Sequence, residues 1–316
     1  MRILILGGSG AIGSAIARYA SSIGVEVDVV ARSGSALSRL EMHSEIARHT
    51  LSLSDTAALR SLLVRRQPRL VVMAAFPAPA THRGPSGRSD SLQTMGQNLL
   101  GVFDALEQAG FSGRLTWFGS SMMYGRAPIP RRVTNHLQPE TFRGAIKAAE
   151  SILAQQRADE LGIAYTELRL FTGYGPYEQR DRLVPALLRA ALGGTQVPVG
   201  EAQAVRDWLY FDDIARAVLL LGESVHVPVP AFNLCAGRLN TVGEVAQTLE
   251  AITGLQLTSP QPYERGDAYG QVGAGIPPSA SDGFDWSPSI CLEEGLLRCW
   301  AWAQTPAGRN FLLQTP

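Results

Sequence analysis

The chain has 316 residues, 45% of them hydrophobic and 18% charged, which is ample material for a core and excludes an intrinsically disordered protein. Its 28 basic and 28 acidic side chains cancel to a net charge of 0, so no overall field draws in nucleic acid or an anionic membrane. The length suits one large α/β domain, or a dinucleotide domain with a smaller lobe.

In chain order, residues 3–6 form a short unbroken apolar run, as a strand buried on both faces should. The run is too short for a signal segment, and Gly7-Gly8 cuts it off. A helical pattern follows over Ala15 to Ala20, then a second strand over residues 25–30. Further strands are predicted at 70–75 and 115–118, with helices at 57–63 and 99–106 between them. This alternation predicts a doubly wound, Rossmann-like parallel sheet. Segments 77–87 and 126–139, rich in loop residues, follow strands and belong at the sheet's C-terminal edge, where ligands bind in this architecture. Segment 274–288 is rich in Gly, Pro and Ser and suggests a loop-rich second lobe. The expected division is a Rossmann domain over 1–175, with 209–236 returning to it, and a substrate lobe from 176–208 and 237–316.

Gly7-Gly8-Ser9-Gly10-Ala11-Ile12-Gly13 lies directly after a strand and opens a helix. Glycines let the backbone turn tightly and approach a pyrophosphate, and the helix N-terminus offers free N–H groups and partial positive charge. Gly7, Gly10, Ala11, Ile12 and Gly13 are therefore the candidate phosphate cradle. NAD sites usually place an acid at the end of the second strand to hold the ribose hydroxyls. Here that position is Ala31, and Arg32 follows, suited to a 2′-phosphate; NADP is favoured over NAD.

Further motifs fall in one order: Ala74-Ala75, Asn98-x-x-Gly101, Gly119-Ser120-Ser121-Met122-Met123-Tyr124-Gly125, and Lys147. Leu168-Arg169-Leu170-Phe171-Thr172-Gly173-Tyr174-Gly175-Pro176, Arg206-Asp207-Trp208 and Arg265-Gly266-Asp267 come after them. Together these resemble the NAD-dependent epimerase/dehydratase family, the extended short-chain dehydrogenases, which act mostly on nucleotide sugars. The resemblance covers essentially the whole chain. It implies a cofactor site that also includes Ser52, Leu53, Ala74, Ala75, Asn98 and Lys147, with Ser52 where an acid usually meets the adenine amino group. It also implies a homodimer formed through two helices of the Rossmann domain.

The family's chemistry uses a Ser or Thr, a Tyr, and a Lys four residues after the Tyr, so that one helical face presents both to the nicotinamide. Ser120 and Lys147 match, but the tyrosine position is Arg143. Arginine cannot act as a base near neutral pH, its pKa exceeding ~12. Three readings stay open. Another group moves the proton, with Tyr124, Tyr174, Tyr177 and His136 as candidates. Alternatively the reaction is a non-redox isomerisation or lyase step in which Arg143 clamps a substrate anion, or the protein is a non-catalytic NADP-binding sensor or partner subunit. Arg143 and Lys147 one helical turn apart repel by some tenths of a kcal/mol, a cost that an anion between them removes. Ser121 and Met122 stand where 4,6-dehydratases of this family carry an Asp-Glu pair, which points away from that reaction.

On the substrate side, Arg206, Arg265 and Asp267 match positions that grip the diphosphate and ribose of a nucleotide sugar, a task suited to arginine's planar fork. Thr172 replaces the family's Asn. Trp208 and Trp286 are expected to be packing anchors. His43, His49, His82 and His226 show no ligand spacing, so no metal is expected, and they are assigned to surfaces and loops. The three cysteines, odd in number and without metal spacing, are expected as free thiols in the cytoplasm.

Overall fold

A computed structural model describes residues 1–32, 38–76, 84–224, 230–259 and 272–314, with 84–86 and 272 as backbone only. The strands begin with β1 (Arg2–Leu6), β2 (Glu26–Ala31), β3 (Ala47–Thr50), β4 (Leu70–Met73), β5 (Arg114–Ser120) and β6 (Ala164–Leu170). Of these, the parallel strands β1, β2, β4 and β5 are the apolar runs read from the sequence. After β6 come β7 (Thr172–Tyr174), β8 (Val197–Pro198), β9 (Val205–Tyr210) and β10 (Ala231–Leu234). The last three strands are β11 (Leu239–Thr241), β12 (Thr258–Ser259) and β13 (Val272–Gly273). The main sheet has seven strands in the order β10-β6-β5-β4-β1-β2-β3, and each neighbouring pair is parallel.

The period-2 alternation of β1 divides the core. Ile3 and Ile5 pack with α1 (Ala11–Ser22), through Ile16 and Ala17; Leu4 and Leu6 pack on the other face with α2 (Thr56–Arg66), through Leu59 and Leu62. The second face is completed by α3 (Gly84–Gln108) and α4 (Phe142–Leu161). α3 begins inside the segment expected to be a loop to residue 87, because Pro85 falls in its first turn, where the missing N–H has no partner to lose.

Beyond β7, α5 (Leu183–Gly193) leads away from the main sheet, and α6 (Phe211–Glu223) returns to it and packs against α1. The remaining helices are α7 (Val242–Thr253), α8 (Leu292–Gln304) and α9 (Pro306–Leu313). They share with α5 a separate core built on Tyr174, Leu187, Trp208, Leu249 and Leu296. Its small sheet centres on β9, which pairs with β7 and β13 in parallel and with β11 antiparallel. Trp208 and Trp286 are buried, Trp286 donating to the Asp213 carbonyl at 3.2 Å.

His49 departs from expectation. It lies half-buried in β3 with its Nε2 2.7 Å from the carboxylate of fully buried Asp28, which Arg66 also holds, so it is a structural partner of an interior acid rather than a loop residue. All three cysteines are free thiols. Among the described residues no helix is long and apolar enough to cross a membrane, and no cluster of His, Cys, Asp or Glu is placed to hold a metal.

Candidate active site

In the β3-β2-β1-β4 half of the sheet, the strand order changes direction of growth between β1 and β4, and a crevice opens at the strands' C-terminal ends. The glycine loop closes one side. Gly7 has φ of 98°, and a Cβ placed there would meet the Ala75 backbone nitrogen at 2.6 Å, so loop and β4 touch. Gly10 caps α1 without any side-chain hydrogen bond, and the first turn holds no acid. The helix N-terminus is thus left to an outside anion, and Gly10, Ala11, Ile12 and Gly13 fit the pyrophosphate of a dinucleotide. Ala31 ends β2, Arg32 is exposed beside it, and Ser52 is exposed with its hydroxyl 2.8 Å from that of Ser54. Leu53 is buried, and Asn98 sits half-buried on α3.

The pocket itself is a cavity of about 220 Å³. Ala11 and Ile12 line it after β1, Ala74 and Phe76 after β4, and Ser120 at the end of β5. Arg143 and Lys147 reach it from α4. The Ser120 hydroxyl accepts from the Met122 N–H at 3.2 Å, which fixes its position at the strand end. Lys147 donates to the Phe118 carbonyl at 2.8 Å and to Glu150 at 2.6 Å, so its charge is balanced and two of its three donors are used. Arg143 has no acidic partner among the described residues. Its guanidinium instead lies 4.9 Å from the centre of the Phe76 ring, and the Lys147 ammonium lies 4.6 Å from the same ring. Both cations thus lie within reach of one aromatic ring, whose quadrupole attracts each of them.

Tyr124, expected near the proton transfer, lies apart from the pocket. It is fully buried and donates to Asn233 Oδ1, while its oxygen accepts from Arg169 at 3.1 Å. Burial pushes its hydroxyl above the usual phenol range, and it does not line the pocket. Tyr174 is buried as well and bonds the Leu292 carbonyl at 3.3 Å. Tyr177 is packed between Trp302 and Phe311, and His136 is exposed on the 126–139 loop; neither lines the pocket.

The substrate candidates are dispersed. Thr172 is buried in β7 and is not part of the pocket wall, although its neighbours Phe171 and Gly173 are. Arg206 is buried on β9, donating at 2.8 Å to the Val205 carbonyl, and does not line this pocket. Arg265 and Asp267 lie outside the described residues.

Four pocket residues had no signal in the motif pattern: Phe76, Glu178, Gln179 and Arg182. Phe76 is one residue past the Ala74-Ala75 pair, and Glu178 two past Gly175-Pro176, so proximity to a motif was their only mark. Glu178 is buried, its Oε1 accepting from Arg182 at 3.4 Å, and burial raises its carboxyl to about 7 against the pull of Arg182.

A family model described as the NAD-dependent epimerase/dehydratase family matches residues 3–235. The dTDP-glucose 4,6-dehydratase of Haemophilus influenzae is 24% identical, the match covering 96% of this chain and 97% of that one. A probable GDP-L-fucose synthase 1 of Oryza sativa subsp. japonica is 26% identical, with coverage of 95% and 91%. Among solved structures, UDP-glucose 4-epimerase of Thermotoga maritima with UDP-glucose superposes with a TM-score of 0.82 at 24% identity, covering 95% of this chain and 98% of that one. The Bordetella bronchiseptica enzyme WbmG in complex with NAD and UDP gives 0.81 at 22% identity, with coverage of 98% and 96%. At these identities the structural likeness speaks for the fold.

Proposed function

The chain belongs to the NAD-dependent epimerase/dehydratase family, and we propose that it is a nucleotide-sugar epimerase or dehydrogenase that works with a nicotinamide dinucleotide and an altered proton relay. The observation that carries this reading is the pocket in which Ser120, Arg143 and Lys147 meet the opening turn of α1. The dinucleotide, when bound, supplies a hydride acceptor or donor. Gly10, Ala11, Ile12 and Gly13 hold its pyrophosphate, and Lys147, kept in place by Phe118 and Glu150, offers its remaining N–H to the ligand. Ser120 hydrogen-bonds the reacting oxygen. Arg143 holds a ligand anion, since it lines the pocket and its charge has no acid to balance it among the described residues. The names of the relatives support a nucleotide sugar: a 4,6-dehydratase and a fucose synthase act on sugar nucleotides, and solved neighbours carry UDP-glucose or NAD with UDP. Ser121 and Met122 after Ser120 offer no acid for β-elimination, which favours epimerisation or oxidation over 4,6-dehydration.

Arg32 beside Ala31 favours NADP over NAD. A homodimer fits the apolar side chains left exposed on α3 and α4, namely Leu92, Leu100, Ile152 and Leu153, and light scattering that finds only monomer at micromolar concentration overturns it. No nucleic acid or membrane partner is proposed, and the cytoplasm is the proposed location.

The test of function is direct. The purified protein is denatured and the released nucleotides are identified, the expected product being a nicotinamide dinucleotide carrying a 2′-phosphate. In parallel, uridine, thymidine and guanosine diphosphates at millimolar concentration are expected to raise the melting temperature by mass action. Absence of any dinucleotide, together with no shift from any nucleoside diphosphate, rejects the assignment.

A further inference from the structure

We propose that Glu178 is the group that exchanges a proton with the ligand in this pocket, standing in for the phenol that position 143 lacks. The proposal rests on the reading of the pocket as a hydride-transfer site.

Glu178 lies in the connection between β7 and α5, and this connection is built to hold it. Tyr177, immediately before it, has φ of 64°, a left-handed conformation that a non-glycine residue adopts at a cost of about 1–3 kcal/mol. The surroundings over-determine that conformation. The Tyr177 ring is held against Trp302 and Phe311, the Arg18 guanidinium lies 4.5 Å from its centre, and Arg39 Nε donates to its carbonyl at 2.8 Å. The Glu178 N–H then bonds the Gly175 carbonyl at 3.2 Å. A strained residue fixed from four directions sets the course of the next side chain.

That side chain is 7% exposed and forms part of the pocket wall with Ser120, Arg143 and Lys147. Its Oε1 has one long contact, the 3.4 Å bond from Arg182. Its Oε2 is buried and has no hydrogen-bond partner among the described residues. An interior carboxyl oxygen without a partner is costly, and a purely structural carboxyl would be expected to find one. Oε2 is itself closed to solvent, so a ligand hydroxyl supplies the missing partner as the carboxyl turns toward the pocket that its side chain lines. The charged groups around it are Arg182 and Asp181 on its own segment, the Cys299 thiol on α8, and Arg143 and Lys147 on α4. Burial outweighs Arg182, so the carboxyl titrates at about 7, where either protonation state is accessible to a relay.

The step balances as follows. In the oxidative direction the sugar C–H bond breaks, and its electron pair leaves as hydride to the oxidised nicotinamide dinucleotide. The O–H bond breaks, its proton passes to the Glu178 carboxylate, and a carbonyl forms. In the reverse direction protonated Glu178 returns the proton to that carbonyl oxygen.

The first arm of the test uses calorimetry and needs no turnover. Oxidised and reduced dinucleotide are titrated into wild type and Glu178→Gln at pH 6, 7 and 8, in two buffers of different ionisation enthalpy. The positive ring of the oxidised form lowers the pKa of a carboxyl facing it. Wild type is therefore expected to release a fraction of a proton on binding the oxidised form and none with the reduced form, and E178Q to show no such difference. Equal proton counts in the two proteins overturn the proposal. The second arm measures turnover of a nucleotide sugar. E178Q is expected to lose about 100-fold or more in kcat, the scale of general acid–base catalysis, with KM within threefold, and a break near pH 7 in the wild-type profile is expected to vanish. Retention of half the wild-type kcat overturns the proposal. Glu178→Asp, expected to recover part of the rate, serves as the second variant should the Gln form fold poorly. If wild type releases the proton with the oxidised dinucleotide but binds no nucleotide sugar, the sugar assignment fails, while the hydride-transfer reading and the Glu178 assignment that rests on it stand. If E178Q turns over sugar undiminished, the Glu178 assignment fails and the functional reading stands.

Discussion

Arg143 lines the pocket with no acidic partner among the described residues, and its setting makes the role proposed for it testable at the level of one side chain. Its guanidinium rests near the Phe76 ring, one helical turn from Lys147, whose own charge is matched by Glu150. If Arg143 holds a ligand anion, Arg143→Ala is expected to weaken substrate or cofactor binding by ~1.5–3 kcal/mol, the scale of a charge-assisted hydrogen bond. Arg143→Lys restores only part, because a point charge cannot make a bidentate contact. Arg143→Tyr separates two mechanisms. With Glu178 moving the proton and Arg143 binding the anion, the tyrosine variant binds ligand as weakly as the alanine variant even though it rebuilds the family's spacing with Ser120 and Lys147. Wild-type binding in both Ala and Tyr variants, read by calorimetry, defeats the clamp. Ser120, Arg143 and Lys147 were legible in the sequence through the family resemblance, which matched them to positions that the family brings together, and all three line the one pocket. Tyr124 was legible as a motif residue but not as a buried one. Its hydroxyl is taken by Asn233 and Arg169, distant in sequence, and such pairings leave no periodic trace.

At the scale of elements, the cofactor side depends on how closely α3 approaches the segment after β3. A Cβ on Gly101 would come within 2.2 Å of the Leu53 carbonyl oxygen, a backbone atom that cannot swing aside. Gly101→Ala is therefore expected to displace α3 and destabilise the fold by about 1–3 kcal/mol. It is also expected to weaken dinucleotide binding, since Ser52, Leu53 and Asn98 flank the contact. Gly96 is the internal control on the same helix. Nothing lies within 4 Å of a Cβ placed there, so Gly96→Ala should gain about 0.5–1 kcal/mol through helix propensity alone. Thermal melts that rank the two variants the other way would remove the close-packing argument. β1, β2, β4 and β5 of the main sheet could be read from sequence because parallel strands buried on both faces appear as unbroken apolar runs, whereas β3, Ala-Arg-His-Thr at the sheet edge, shows no such run and was not predicted, nor were β6 and β10. The small sheet around β9 could not be read either. β7 and β13 contribute only two or three residues each, and their partners lie tens of residues away, so no local pattern marks them.

For the whole molecule, two buried carboxyls set a pH dependence whose sign follows from their shifts. Burial raises Asp207 from 3.8 to about 6, against hydrogen bonds from the Ala236 and Gly237 backbone, and raises Glu178 from 4.5 to about 7. In the unfolded chain both are ionised by pH 5 to 6, whereas in the folded chain both still hold protons there. Between about pH 4 and 7 the native state thus binds more protons than the unfolded state, and the stability to unfolding falls as pH rises. The contribution is fully present below the unfolded values and is lost as pH passes the folded ones, Asp207 first and Glu178 second. Cys235 and Cys299, pushed up by burial, repeat the same sign above pH 9. Carboxylates shifted downward, such as Glu45 and Glu160, are fully exposed and oppose this only weakly. The melting temperature is therefore expected to be higher at pH 5 than at pH 8. Glu178→Gln should flatten the part of the curve between pH 6 and 8 and leave the Asp207 part below pH 6 in place. A wild-type melting temperature that rises across this range, or a Gln variant whose curve parallels wild type, would show that Glu178 does not carry its proton into the neutral range. Such a cost at neutral pH is consistent with a carboxyl kept for the chemistry of the pocket, since an apolar residue in the same place would be free of it.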